Sequence, residues 1–296
     1  MFKRMLAPLD GTELAEKVIP YVLQLTGSLE LETSLLHVCE VSKTTSMFMC
    51  QSYVNHLVER LSNELKKDKG IIKGCVGEGD VAKSILQFAA KNNSDLILMS
   101  KHSDTEQERR LIGNIAHKVL NGTRVPVLIV HPGDAVPVVK NDWPKNILVP
   151  LDGSKLSDKV LPYVESLSEQ MQFRPEITLL NICESRGLNA DYPESALQLT
   201  WEEHVRKSNE NSARICSMHL DEVQAQLEVK KFKVKSHVIL GNKVVDEIIK
   251  YSNEQAFDLI AMTTHGYSGI SVWPYGHVAD HLITLSAIPL LLVRPS

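Results

Sequence analysis

Long apolar runs are missing from this chain of 296 residues, and none approaches the roughly 18–20 residues that a bilayer-spanning helix needs. No membrane partner is therefore expected. An excess of positive charge is missing as well. The net charge is −4 with both signs spread along the chain, so the electrostatic footprint of a nucleic-acid binder is absent and no nucleic-acid partner is expected. Cysteine pairs of the Cys-x-x-Cys kind do not occur. Cys39, Cys50, Cys75, Cys183 and Cys216 are scattered, mostly within apolar stretches, and predict small core residues in a reducing compartment. The start, MFKRMLAPLDG, lacks the apolar core of a signal peptide, so a cytoplasmic location is expected. Also lacking are the phosphate-loop pattern G-x-x-x-x-G-K-S/T and any Ser-His-Asp arrangement.

What is present is a repeat. MLAPLDGTELAEKVIPYV (5–22) and ILVPLDGSKLSDKVLPYV (147–164) agree at eleven of eighteen positions. SLLHVCE (34–40) returns as TLLNICE (178–184), SDLILMSKHS (94–103) as FDLIAMTTHG (257–266), and VPVLIVHP (125–132) as IPLLLVRP (288–295). The offset grows from 144 to 163 between Glu184 and Asn242, where the second copy carries a longer polar helical stretch, 195–228. Hydrophobic content of 43% with 23% charged residues suits two globular domains of ordinary size. The domains are expected at 1–133 and 145–296, joined by a proline-containing linker, 134–144.

In the first copy, strands are predicted at 3–9, 31–38, 71–76, 95–100 and 126–130, with helices near 12–26, 53–69, 79–92 and 113–121. LILMS and VLIVH are apolar at nearly every position, as strands buried on both faces must be. Strand-helix alternation specifies right-handed crossovers and an α/β fold, here two tandem doubly wound parallel sheets of Rossmann-like kind. Pro20 and Pro162 fall inside the first predicted helix of each copy, which should kink or end early there.

Doubly wound folds bind ligands beyond the carboxyl ends of their strands, where strand order reverses. Asp10 and Asp152 follow the first strands, and either can accept hydrogen bonds from a ribose or base; a capping turn is the simpler reading of each. The loop after the fourth strand of copy two, MTTHGYSGISVWPYGHVADHLI (262–283), has small residues and two glycines before a helix, which suits an anion cradle. The same loop in copy one, MSKHSDTEQERRLIGNIAHKVL (99–120), holds Asp104, Glu106 and Glu108, which repel phosphate, and Arg109 and Arg110, which partly offset them.

With these residues in view the chain resembles the universal stress protein family. The PLDG strand ends, MTTHG with a glycine ten residues later, and the closing LLLVRP carry the likeness over nearly the whole chain. The resemblance implies a five-stranded parallel sheet in each domain, like that of the adenine-nucleotide α-hydrolases. It implies that the two domains pair through their last strands, and that a homodimer is a possible assembly. In one branch it implies binding of ATP or AMP, with magnesium a possible companion of ATP. That branch carries G-x-x-G, nine residues, then G-S/T. Here Thr263 stands at the first glycine, Gly266 and Gly276 match, and His277 replaces the hydroxyl residue. The implied site is Pro150, Leu151, Asp152, Ile182, Met262, Thr263, His265, Gly266, Gly276, His277 and Val278. Its weaker counterpart in copy one is Asp10, Val38, His102, Gly113 and Asn114, where only Gly113 of the glycines survives and Ser100 and Ser103 take the other places.

Other signals carry less. GEGDVA (77–82) fits a dinucleotide pattern but follows the third strand, and LGNKVVDE in copy two lacks it. His277, Asp280 and His281 place two histidines on one helix face with no third metal ligand in view. The reading is a regulatory protein that binds an adenine nucleotide, mainly in the second domain, without strong catalysis; a scaffold without nucleotide and a slow ATP hydrolase are the alternatives.

Overall fold

The computed structural model describes residues 2–39, 47–65, 71–101, 113–131, 142–184, 200–265 and 276–295. Ten strands form one sheet in the order β3-β2-β1-β4-β5-β10-β9-β6-β7-β8. The first half supplies β1 (Arg4–Pro8), β2 (Glu32–Cys39), β3 (Ile71–Glu78), β4 (Leu96–Ser100) and β5 (Val127–Val130). The second supplies β6 (Asn146–Pro150), β7 (Glu176–Cys183), β8 (Lys233–Leu240), β9 (Leu259–Thr263) and β10 (Leu290–Val293). Within each half all pairings are parallel; β10 runs antiparallel to β5, with Leu291 opposite Leu128.

Alternation along each strand feeds two core layers. Leu96 and Leu98 enter one layer, Ile97 and Met99 the other; Leu291 and Val293 part from Leu290 and Leu292 in the same way. The helices are α1 (Glu13–Glu16), α2 (Ile19–Leu29), α3 (Met47–Glu64), α4 (Val81–Lys91), α5 (Asn114–Gly122), α6 (Leu161–Gln170), α7 (Trp201–Val229), α8 (Val244–Glu254) and α9 (His277–Leu285). Those of one layer are α2, α3, α6 and α7, and those of the other are α4, α5, α8 and α9.

Several sequence expectations are corrected. The helix expected over 12–26 is broken into α1 and α2, and Pro20 sits in the first turn of α2, where its missing N–H costs nothing. In the second copy a 3-10 turn, Ser157–Val160, precedes α6, and Pro162 again takes the first turn. The helix expected from residue 53 begins at Met47. Trp143, placed in the linker by sequence, is buried. Its ring meets Tyr21 edge-on at 4.9 Å, and its indole N–H donates to the Asp258 carbonyl at 3.2 Å. The cysteines are not all reduced: Cys39 and Cys50 form a disulfide between the end of β2 and the first turn of α3.

The repeat also fixes register. Asp95 accepts from the backbone N–H groups of Lys3 and Arg4, and Asp258 accepts from those of Lys145 and Asn146. Each clamp holds the fourth strand of its half against the start of the first. No helix among the described residues is long and apolar enough to cross a membrane.

Where the halves meet, each closes the other's helix ends. Lys101 donates from Nζ to the Thr284 carbonyl at 2.6 Å, and His131 donates from Nε2 to the Ile283 carbonyl at 2.9 Å, both in the last turn of α9. Arg294 does the same for the Asn121 carbonyl of α5. These are the carbonyls that a helix leaves without partners. Burial lowers the Lys101 pKa to about 8. Burial, reinforced by Lys101 and opposed by the Ile283 carbonyl, pulls His131 down to about 4.

Because the folded pKa of His131 lies below its ordinary 6.5, the unfolded chain takes up the proton first as pH falls. Stability should therefore be lost between about pH 6.5 and pH 4, by up to about 3 kcal/mol. Urea melts across that range should show a shallower acid slope in His131→Gln than in the parent chain.

Candidate functional site

The order of strands reverses between β1 and β4 in the first half and between β6 and β9 in the second. A crevice opens there at the carboxyl ends in each half. The same local rules build its two walls, and the side chains that enter it differ.

In the second half, β6 ends at Pro150 and the chain is held to β7 by the Leu151 N–H, which donates to Leu180 at 2.8 Å. The Asn181 amide donates to the Leu151 carbonyl at 2.8 Å. Asp152 then turns the chain, its Oδ1 accepting from the Ser154 N–H at 2.9 Å. Gly153 takes φ +80°, the left-handed region that favours glycine. Among the described residues, a methyl group built on Gly153 would meet no atom within 4 Å. Ile182, the last residue but one of β7, is half-buried beside this turn's strand.

Met262 and Thr263 close β9. Thr263 donates its hydroxyl to the His265 carbonyl at 2.8 Å, and the Thr264 hydroxyl lies 3.1 Å from His265 Nδ1. The Gly276 N–H donates to the Thr264 carbonyl at 2.7 Å, which brings the start of α9 onto the end of β9. A Cβ at Gly276 would stand 3.2 Å from that carbonyl oxygen. Gly276 is the N-cap of α9 and supplies no side-chain cap, so the first-turn N–H groups of His277 and Val278 are not covered by one. Burial, with the Arg294 charge, lowers the pKa of His265, so a neutral imidazole stands at the turn. His277 is exposed, and its ring lies 4.1 Å from that of His281. Gly266 lies outside the described residues.

The first half repeats the frame. Leu9 N–H donates to Leu36, Asp10 Oδ1 accepts from the Thr12 N–H and hydroxyl, and Gly11 takes φ +86°. Gly113 is the N-cap of α5, with Asn114 its first residue, again without a side-chain cap. Val38 is buried in β2, unlike the half-buried Ile182. His102 lies outside the described residues.

Two rings stand beside this turn. His37 Nδ1 bonds to the Leu9 carbonyl at 2.8 Å, and its ring meets Tyr53 of α3 edge-on at 5.3 Å. The Tyr53 hydroxyl donates to Glu16 at 3.0 Å. A methyl on Gly11 would lie 3.9 Å from the Tyr53 ring and 4.0 Å from that of His37. The glycine-loop signal in sequence could not find these residues. His37 was visible only as one of three positions where SLLHVCE departs from TLLNICE, and Tyr53 comes from a helix with no matching text in copy two.

The universal stress protein family model matches residues 1–131 and again 144–294. The chain belongs to the universal stress protein family. Its tandem form is mirrored by a universal stress protein of Synechocystis, Slr1230, 21% identical over 99% of this chain and all of that one. Half-length relatives match too: universal stress protein YxiE of Bacillus subtilis is 30% identical over 147 residues, 44% of this chain and 99% of its own. Among solved structures, a universal stress protein of Archaeoglobus fulgidus superposes with a TM-score of 0.68 at 18% identity, covering 99% of this chain and 98% of its own. That likeness is one of fold.

Gly276 has little room for a side chain beside the Thr264 carbonyl. Gly276→Val should push the helix start off the Thr264 carbonyl and cost about 1–3 kcal/mol, read as a lower midpoint in urea melts.

Proposed function

We propose that this universal stress protein is a stress-response regulator that holds one adenine nucleotide, ATP or AMP, in the crevice of its second domain, without strong catalysis. The domains of this reading are 1–133 and 145–296, joined through 134–144. The observation that carries it is the contrast at the two Asp-Gly turns: among the described residues no atom stands within 4 Å of a methyl on Gly153, whereas ring carbons of Tyr53 and His37 stand at 3.9 Å and 4.0 Å from one on Gly11. The residues present in the second domain fit such a ligand. Asp152, exposed at the strand end, would accept from the ribose or the base amino group, with backbone from Ile182 and packing from Pro150 and Leu151 beside it. The phosphates would lie between the end of β9, at Met262, Thr263, His265 and Gly266, and the start of α9 at Gly276, His277 and Val278. Backbone N–H groups at a helix start and the positive end of its dipole favour such an anion. ATP would bring its magnesium with it. A neutral His265 adds a hydrogen bond there rather than a charge.

Calorimetric titration with ATP and with AMP tests the reading. One site per chain is expected. Asp152→Ala should weaken binding at least about tenfold, or about 1.4 kcal/mol, whereas Asp10→Ala should leave it unchanged. Binding that persists in Gly276→Trp, or that is lost in Asp10→Ala, would place the nucleotide elsewhere.

A further inference from the structure

The end of β2 in the first domain has chemistry of its own. His37, Cys39 and Cys50 each place one donor atom within 4.8 Å of the others, the one such trio among the described residues. Cys39 and Cys50 are buried and His37 is half-buried. His37 donates from Nδ1 to the Leu9 carbonyl, which fixes the tautomer and leaves the lone pair on Nε2. An imidazole whose other nitrogen is tied to a carbonyl is the usual arrangement of a metal-ligating histidine. The Tyr53 ring, edge-on to His37, limits its rotation.

The repeat supplies an internal control. In the second domain the strand-end cysteine recurs as Cys183, and it shares a hydrogen bond with Cys216 of α7. At the place of His37 stands Asn181, which makes the same bond to the matching carbonyl, that of Leu151, at the same 2.8 Å. An amide satisfies that carbonyl and offers no further soft donor; an imidazole satisfies it and keeps a ligand nitrogen. Both halves thus carry a cysteine pair at the end of their second strand, and one half adds a histidine to it.

We propose that the reduced first domain binds one zinc ion through the thiolates of Cys39 and Cys50 and the imidazole of His37, with water in the fourth position. Two thiolates and an imidazole select a borderline-soft divalent ion over magnesium or calcium. A tetrahedral zinc with bonds of about 2.0–2.3 Å holds its ligand atoms about 3.3–3.8 Å apart, within the 4.8 Å that bounds the three donors, once the two sulfurs bonded to each other here have parted. The disulfide is the oxidised, metal-free form of the same site. Peroxide links the two forms: the thiolates lose two electrons and form the S–S bond, the peroxide O–O bond breaks, two protons are taken up, and two waters and the zinc ion leave.

The test uses the full chain, reduced and stripped of metal, with Co²⁺ as the optical probe and Zn²⁺ as its competitor. One Co²⁺ per chain with a thiolate-to-cobalt charge-transfer band is expected. Zn²⁺ should displace it, and peroxide should release the zinc as Cys39 and Cys50 become linked in the peptide map. His37→Asn installs the residue of the second domain and keeps the carbonyl bond, so it should fold; its metal affinity should fall at least about tenfold. Cys50→Ser should lose the band, and Cys183→Ser should keep it. No charge-transfer band in the reduced parent chain would overturn the proposal. So would a band undiminished in His37→Asn and Cys50→Ser, one lost in Cys183→Ser, or zinc release without the Cys39–Cys50 link.

Discussion

A strand buried on both faces leaves its side chains nowhere polar to go except past its carboxyl end. β4 and β9 are buried at all five residues, and β5 and β10 at all four. Every unpaired donor or acceptor inside those layers would cost about 1–3 kcal/mol. Polar side chains on these four strands are therefore confined to the carboxyl ends, where Ser100 closes β4 and Thr263 closes β9. Asp10 and Asp152 stand in the turns two residues beyond β1 and β6. The backbone ties at Leu9 and Leu151 set the depth of both crevices before any ligand is considered.

The same confinement decides what could be read from sequence. Continuous apolar runs such as LILMS and VLIVH identify strands because no other soluble element buries both faces over so few residues. The caps at helix starts are set by short polar side chains such as Asp80 and Thr12, which accept from the backbone three residues on. The breaks at Pro20 and Pro162 were visible as a conflict; only packing decided that the helix restarts with proline in its first turn. Trp143 was misread because its neighbours are linker-like, and its burial against Tyr21 depends on a contact across more than a hundred residues. The disulfide fails for a related reason: spacing in the chain says nothing of which helix turn faces which strand end.

For the site, glycines and aspartates were readable because turns with positive φ and helix starts demand them. The occupants of the crevice were not, because Tyr53 comes from α3, whose approach to β2 is fixed by tertiary packing. The helix in the corresponding place, α7, is 29 residues long against 18, and opens with a capping box of Thr200 and Glu203. The described side chains of this longer helix pack inward through Leu220, Val223 and Leu227, and none of them comes within 4 Å of a methyl group built on Gly153.

Divergence between the two halves then follows a narrow route. The carbonyls of Leu9 and Leu151 are buried at the mouth of each crevice and need a donor, so positions 37 and 181 are constrained to side chains that can give one. Within that limit the choice between imidazole and amide is free of cost to the fold, since both make a 2.8 Å bond to the same kind of acceptor. It is not free of consequence for the crevice. An amide ends at that bond, whereas an imidazole carries a flat ring for Tyr53 to meet and a second nitrogen. A single position under a backbone constraint thus gives one half an imidazole and the other an amide, each bonded to the same kind of carbonyl, with the sheet beneath them unchanged.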